Sequence, residues 1–210
     1  VPDNLRIVSD FVQANTQKKP VVPEFAHAHI EMHRVSGYRW YAQLDAAKGY
    51  WGFLLDKASS ASTAIWLPHN GRTALFRYTR AVMGDQSSGA TMNTRFAEAL
   101  ALNVDERARK HLSNMADDWV AFANTIEELL YALDALFKMF DRFHITVNPA
   151  KVRLCYNTVT YWGFDFSADG SRPSARNLNP VRKMQVPTTR KELQAALGLF
   201  NYFSHYISDL

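Results

Sequence analysis

The 210-residue chain is 47% hydrophobic and 13% aromatic, which excludes extensive disorder and suffices for one packed core or two small ones. No apolar run reaches the roughly 18–20 residues that span a bilayer, and no basic-apolar-small secretory succession opens the chain, so a soluble intracellular protein without a membrane partner is expected. The lone Cys155 excludes an internal disulfide and a thiolate zinc site, while a formal net charge of +4 and a pI near 9.2 permit a polyanionic partner without establishing one.

The chain opens abruptly at Val1, as a piece of a longer polypeptide would, with a strand expected over 5–8 and a helix over about 24–35, after Pro20 and Pro23. Residues 38–55 are aromatic and β-prone but broken by Gly49 and Gly52, which predicts a strand, a tight turn and a further extended segment. Residues 64–67 and 73–78 flank Pro68-His69-Asn70-Gly71, a hairpin signal because Asn-Gly takes positive φ readily. Over 89–104, Met92, Phe96 and Leu100 recur at four-residue spacing and predict a helix with one apolar stripe.

Next come Asp117 and Asp118, adjacent acids flanked by short apolar runs in a strand-prone context. Asp105-Glu106 and Glu127-Glu128 are also adjacent acids, but in helix-prone polar surroundings. A third carboxylate, Asp45, ends the run 38–44. Like charges at neighbouring strand ends cost several kcal/mol at short range in a partly buried site, on the order set by Coulomb's law, unless cations neutralise them. Asp45, Asp117 and Asp118 therefore read as ligands for two divalent cations, magnesium first and manganese as the substitute. The histidines lack ligand spacing; His29 and His33, four apart on the expected helix, come nearest.

Thr125-x-x-Glu128 is a capping box opening a helix with Ile126, Leu129, Leu130, Leu133, Phe137 and Phe140 on one face. Strands are expected at 145–147 and 158–166, the latter closed by the turn Ala168-Asp169-Gly170. Residues 173–187 read as a basic, proline-punctuated linker. A second capping box, Thr189-x-x-Glu192, opens a helix with Leu193, Ala196, Leu197 and Phe200 on one side. Basic residues in this last third, among them Arg172, Arg176, Arg182, Lys183, Arg190 and Lys191, are spaced like a track along a phosphate backbone. The element order gives an α+β fold, an antiparallel sheet backed by helices.

Read outward from the acid pair, the chain resembles the reverse transcriptases of gypsy-type LTR retrotransposons over nearly its whole length. Arg6-Ile7-Val8-Ser9-Asp10 follows the family's opening, and Asp45-Ala46-Ala47-Lys48-Gly49-Tyr50 its first catalytic motif. Met83-Gly84-Asp85-Gln86 aligns with the Phe-Gly-Leu segment, and Met115-Ala116-Asp117-Asp118 with Tyr-x-Asp-Asp. Asn148-Pro149-Ala150-Lys151, Tyr161-Trp162-Gly163 and residues 188–207 match, in order, the segment after the palm helix, the primer-holding hairpin and the start of the thumb. Met115, Ala46, Asp85 and Gly89 depart from the family's aromatic, leucine, leucine and proline. Asp85 thereby adds a negative charge near the nucleotide site.

The resemblance implies partial fingers over 1–36, a palm over 37–166 with an inserted fingers segment at about 56–82, a linker over 167–187 and the start of a thumb over 188–210. It implies template-directed DNA synthesis, a two-metal transfer to a primer 3′-hydroxyl. Asp45, Asp117 and Asp118 would hold the metals, with Lys151 protonating pyrophosphate or compensating charge. Arg6, Ala46, Ala47, Gly49, Tyr50 and Gly84 would meet the nucleotide, Tyr50 as a gate against ribose. Met115, Trp162, Gly163, Arg190 and Lys191 would meet primer and template. The implied partners are an RNA or DNA template, a DNA or RNA primer, deoxynucleoside triphosphates and the RNase H and integrase segments of a polyprotein, which this chain lacks. The implied compartment is cytoplasmic, including a virus-like particle, or nuclear. A decayed polymerase retained as a nucleic-acid-binding module is the competing reading, and another two-metal nuclease or cyclase the more distant one.

Overall fold

In the computed structural model the described residues are 9–19, 28–47 and 49–207, with backbone alone at 28 and 29. The strand expected at 5–8 and the first residues of the helix expected from 24 lie outside them. Two short helices, α1 (Val12–Thr16) and α2 (Ala28–Val35), precede β1 (Trp40–Asp45), and α2 ends where the sequence predicts. A 3₁₀ turn, Gly49–Gly52, and α3 (Lys57–Ala61) lead into the hairpin β2 (Ala64–His69) and β3 (Arg72–Arg77). Its Asn70 and Gly71 take φ of 48° and 73°, the two positive values the Asn-Gly signal requires. Then follow α4 (Gln86–Asn103), α5 (Glu106–Arg109), β4 (Leu112–Met115), β5 (Asp118–Ala123) and α6 (Ile126–Arg142). β6 (Arg153–Tyr156), β7 (Val159–Tyr161), β8 (Phe164–Ser167), β9 (Gly170–Pro173), α7 (Ala175–Arg182) and α8 (Arg190–Tyr202) complete the order.

The centre is an antiparallel sheet in the order β4-β5-β1-β6. Alternation along each strand divides its side chains between two cores. Ala42, Leu44, Trp119 and Ala121 face Met92 and Phe96 of α4 and Leu129, Leu133 and Leu136 of α6. Tyr41, Val120 and Phe122 face Met32 and Val35 of α2 and Val159, Tyr161, Phe164 and Phe166 of a smaller sheet, β7-β8-β9. β5, covered on both sides, is correspondingly apolar throughout its buried length. This is the α+β architecture expected.

Several local expectations need correction. The buried face of α6 comprises Leu129, Ala132, Leu133, Leu136, Met139 and Phe140, while Ile126, Leu130 and Phe137 stay exposed. The apolar arc was assigned to the bulkiest side chains, but the sheet takes the flank carrying Ala132. Residues 145–147 supply only a bridge from Val147 to Ala46, and 158–166 is split by a turn at Trp162-Gly163. Between Gly52 and Leu55 the expected extended segment is reduced to a bridge from Leu54 to Arg80. The expected linker over 167–187 contains β9 and the Ser174-capped α7, with Pro180 inside the helix. On α8, Ala196 is buried but Leu193, Leu197 and Phe200 are exposed.

β6, unforeseen in the sequence, carries a bulge. Tyr41 pairs with Tyr156 but Gln43 with Arg153, so β6 spends one more residue than β1 over this stretch, and Cys155 sits there at φ +57°.

Candidate active site

β1 ends on Asp45, whose register partner across the sheet is Asp118, the first residue of β5. Directly opposed residues present their side chains on the same face. Asp117 occupies the two-residue turn between β4 and β5, closed by the pair Met115 and Asp118. Ala116, also in that turn, has φ +53°, a conformation that costs a non-glycine residue about 1–2 kcal/mol. Its N–H donates to Asn93 Oδ1 of α4 at 3.0 Å, which anchors the strained turn to the helix.

The backbone around Asp45 is held from both sides. Ala46 N–H donates to the Asp117 carbonyl (2.8 Å), Ala47 N–H to Thr146 O (2.7 Å), and Asn148 N–H to the Asp45 carbonyl (2.9 Å). Asn148 also opens a 3₁₀ turn, Pro149–Lys151, by accepting from Ala150 N–H. The turn delivers Lys151, whose Nζ donates to Asp45 Oδ2 at 2.6 Å.

Burial, then the negative charges of Asp117 and Asp45, raise the Asp118 carboxyl above its ordinary value, against the opposing pull of Lys151. Asp118 keeps more than a third of its surface in water, so solvent screening softens this repulsion. The hydrogen bond to Asp45 in turn raises Lys151, whose ammonium is the counter-charge of the cluster. The three carboxylates of the sequence reading are thus gathered at one sheet end. Among the described residues, however, no three carboxylate, imidazole or thiolate groups stand close enough to hold a metal ion together. The donor set is chemically suited to a hard divalent cation, and crowding gives it reason to accept one.

Beside the acids, Gly49 leaves room for Asp117, because a β-carbon at position 49 would lie 3.2 Å from both Asp117 Cβ and Met92 Sδ. Tyr50 follows in the same 3₁₀ turn, partly buried against the α4/α6 core. A β-carbon on Gly89 would stand 3.7 Å from the Tyr50 hydroxyl, ordinary van der Waals contact, so position 89 adjoins the ring without depending on glycine to seat it.

Gly84 sits at φ +90° in the turn before α4. A contact that sequence reasoning missed fixes this turn: Asn15 Nδ2 donates to Gly84 O (2.8 Å) and Asn15 Oδ1 accepts from Gln86 N–H (3.0 Å). Asp85 caps α4 by accepting from Ser87 N–H and Oγ, and forms an ion pair with Lys18. Burial alone would raise the Asp85 carboxyl, but the hydrogen bonds from Lys18 and Ser87 and the Lys18 charge hold it below its ordinary value. The added negative charge feared from the sequence is therefore capped and paired. Asn15 lies in the segment that resembles the family's opening and Lys18 in a basic pair, but their partners left no signal in the sequence, because both act across about 70 residues.

Met115, on the face shared by Asp45 and Asp118, lines a groove of about 870 Å³ with Trp162, Gly163, Asn177 and Tyr202. Trp162 and Gly163 form the two-residue turn between β7 and β8, with φ of 52° and 75°. A β-carbon on Gly163 would collide with Asn177 and approach Tyr202 Oη to 3.0 Å. Arg190 and Lys191 are exposed in the first turn of α8 and take no part in the acidic cluster. Arg6 lies outside the described residues.

The family described as "Reverse transcriptase (RNA-dependent DNA polymerase)" matches residues 3–166. An uncharacterized protein of Caenorhabditis elegans is 26% identical over 172 residues, 80% of this chain and 12% of that protein. The retrovirus-related Pol polyprotein from transposon 297 of Drosophila melanogaster is 21% identical over 97% of the chain and 18% of its own length. The chain thus spans less than a fifth of these relatives. Among solved structures, the foamy viral protease-reverse transcriptase in complex with double-stranded DNA is 24% identical, with a TM-score of 0.76 over 97% of this chain and 34% of that one. A second structure of the foamy viral enzyme, with an RNA/DNA hybrid, gives a TM-score of 0.71 over 94% of this chain and 26% of that one, again at 24% identity. Among the described residues no helix is long and apolar enough to cross a membrane. With an acid-bearing hairpin set against the end of a central antiparallel strand, and a family match across more than three quarters of its length, this chain belongs to the reverse transcriptase (RNA-dependent DNA polymerase) family.

Proposed function

We propose that the chain is the palm, with parts of the fingers and thumb, of a retrotransposon polymerase of the gypsy type that copies an RNA or DNA template by adding deoxynucleotides to a primer 3′-hydroxyl. The observation that carries this reading is the register pairing of Asp45 with Asp118, with Asp117 in the adjoining turn. Asp45, Asp117 and Asp118 would hold divalent magnesium or manganese. Such cations, when bound, lower the pKa of the attacking hydroxyl and shield phosphate charge.

The remaining roles fall to the chain's own groups. Lys151 neutralises Asp45 and, released from it, would stand near the departing pyrophosphate as a proton donor. Ala46, Ala47 and Gly49 form the backbone beside the acids, where the triphosphate would lie, and Arg6 would supply a forked guanidinium to its oxygens. Tyr50 would place its ring against the 2′ position of the sugar. Gly84 would lie under the base pair, Trp162 and Gly163 would hold the primer end beside Met115, and Arg190 and Lys191 would meet duplex phosphates. Relatives' polyprotein context would place such a domain in the cytoplasm, a virus-like particle or the nucleus.

Primer extension on RNA and DNA templates with magnesium or manganese tests the assignment, comparing wild type with Asp117→Asn. We expect extension by wild type alone. Equal extension by both proteins would remove the acid cluster from the chemistry. The competing reading, a non-catalytic duplex-binding module, has as its signature duplex binding by wild type with no metal-dependent extension.

A further inference from the structure

The turn at Trp162-Gly163 is not free-standing. Both residues hold positive φ, and for a tryptophan that conformation persists only where its surroundings enforce it. The enforcing group comes from the last helix. Tyr202, the final residue of α8, donates its hydroxyl hydrogen to the Trp162 carbonyl. Asn177 of α7 packs into the space that a side chain at 163 would need, beside the same hydroxyl. The Ser174 N–H donates to the Gly163 carbonyl at 3.0 Å, so both carbonyls of the turn are held from outside the hairpin.

α8 is in turn locked to the same small sheet by aromatic packing. The ring of Tyr202 lies 5.2 Å from that of Phe164, the residue closing the turn, and Phe164 also stacks on Tyr206 at 5.2 Å. Phe203 is buried against Phe164, and Tyr206 Oη meets Ser171 Oγ at 2.7 Å. By contrast Leu193, Leu197 and Phe200 of α8 are exposed, so within this chain the helix is seated chiefly through its C-terminal end.

We infer that Tyr202, steadied by Asn177, is a positioning residue: it couples the placement of α8 to the shape of the Trp162-Gly163 turn, and through that turn to recognition of a recessed primer 3′ end. This rests on the proposed role of Trp162 and Gly163. A movement of α8 transmits to the primer-holding turn through one phenolic hydrogen bond and one ring contact, and binding of a primer end at the turn orders α8 in return, as linkage requires.

Binding of a fluorescein-labelled duplex with a recessed 3′ end, and of a blunt duplex of the same length, to the 210-residue chain is measured by anisotropy for wild type, Tyr202→Phe, Asn177→Ala and Trp162→Ala. Tyr202→Phe keeps the ring on Phe164 and removes only the hydroxyl. We expect it to reduce the recessed-over-blunt preference about 3–10-fold, the size of one hydrogen bond's net contribution. The indole N–H resonance of Trp162 should shift more than those of the other tryptophans, and Asn177→Ala should reproduce part of both effects. An unchanged preference and resonance in Tyr202→Phe, with Trp162→Ala still impaired, overturns the coupling. If Trp162→Ala also leaves the preference intact, the primer role of the turn fails instead, and the coupling fails with it.

Discussion

Gly49 and Asp117 share one small volume: a β-carbon on the first would lie 3.2 Å from the β-carbon of the second. Glycine is favoured at 49 by this close approach. On the other side the same β-carbon would meet Met92 Sδ, which is fully buried and has little room to yield. Gly49→Ala should therefore push the acid hairpin by a few tenths of an ångström. We expect kcat for primer extension to fall about 10-fold or more, given how steeply rate depends on placement, with a modest drop in Tm. Wild-type kcat in a well-folded Gly49→Ala protein would show that the hairpin position is not critical.

The carboxylates are mutually destabilising before any cation arrives. Asp118 has its carboxyl raised by burial and by Asp117 and Asp45, which means its ionised form is disfavoured in the folded state. Replacing it with the neutral isostere removes that repulsion. Asp118→Asn should raise Tm at neutral pH in metal-free buffer by about 1–3 °C, the scale expected for a chain of this size. It should also shrink the Tm increase that millimolar magnesium gives wild type. A lower Tm for the variant, with an undiminished magnesium response, would contradict both parts.

The ion pair of Lys18 with Asp85 has the opposite sign. Asp85 is held below its ordinary value of 3.8, so the folded state favours the carboxylate. Its stabilising contribution is complete above the unfolded value and is lost as pH falls through the lower folded one. Asp85→Asn keeps the helix cap but loses the pair, and should destabilise by about 1.5–3 kcal/mol at pH 7, the range for hydrogen bonds to charged groups. Thermal melts from pH 7 down to pH 3 should show the gap between wild type and variant narrowing below about pH 4. A gap that stays constant over that range rules the linkage out.

Tyr50 offers a specificity test independent of the acids. Its ring is partly buried against the core, with Gly89 beside its hydroxyl. Tyr50→Ala should raise the ratio of ribonucleotide to deoxyribonucleotide incorporation about 10–100-fold, the discrimination available to a well-placed steric contact. The ratio is read from single-nucleotide extension with matched triphosphates. No change in it removes the gate assignment.

Local chemistry made much of the architecture readable in advance. The Asn70-Gly71 turn, the Thr125 and Thr189 caps and the Met92, Phe96 and Leu100 stripe each carry their instruction within a few residues and each forms, although the reciprocal glutamate bond of a capping box is made at Thr189 and not at Thr125. The acid hairpin was legible because an adjacent acid pair interrupting apolar strands has few structural uses. What escaped were relationships set by the tertiary fold. The buried flank of α6 was decided by the sheet beneath it, and prolines masked α7 by imitating a linker. The Asn93 anchor of Ala116, the Asn15 and Lys18 ties to the Gly84 turn and the Tyr202 hydrogen bond join segments whose separation leaves no periodic trace.

The extra residue in β6 sets the parity of everything upstream of it. With Gln43 opposite Arg153, continuing the antiparallel count brings Lys151 level with Asp45; with the uninterrupted register of Tyr41 and Tyr156, Val152 would fall there instead. A single-codon deletion between Arg153 and Tyr156 would straighten β6 and keep Lys151 level with Asp45, whereas a single-codon insertion there, taken up without a wider bulge, would leave every strand in the sheet nameable and yet exchange an ammonium for an isopropyl group beside Asp45. In this protein one added residue at an exposed edge, ordinarily a silent kind of change, amounts to a charge substitution at the centre.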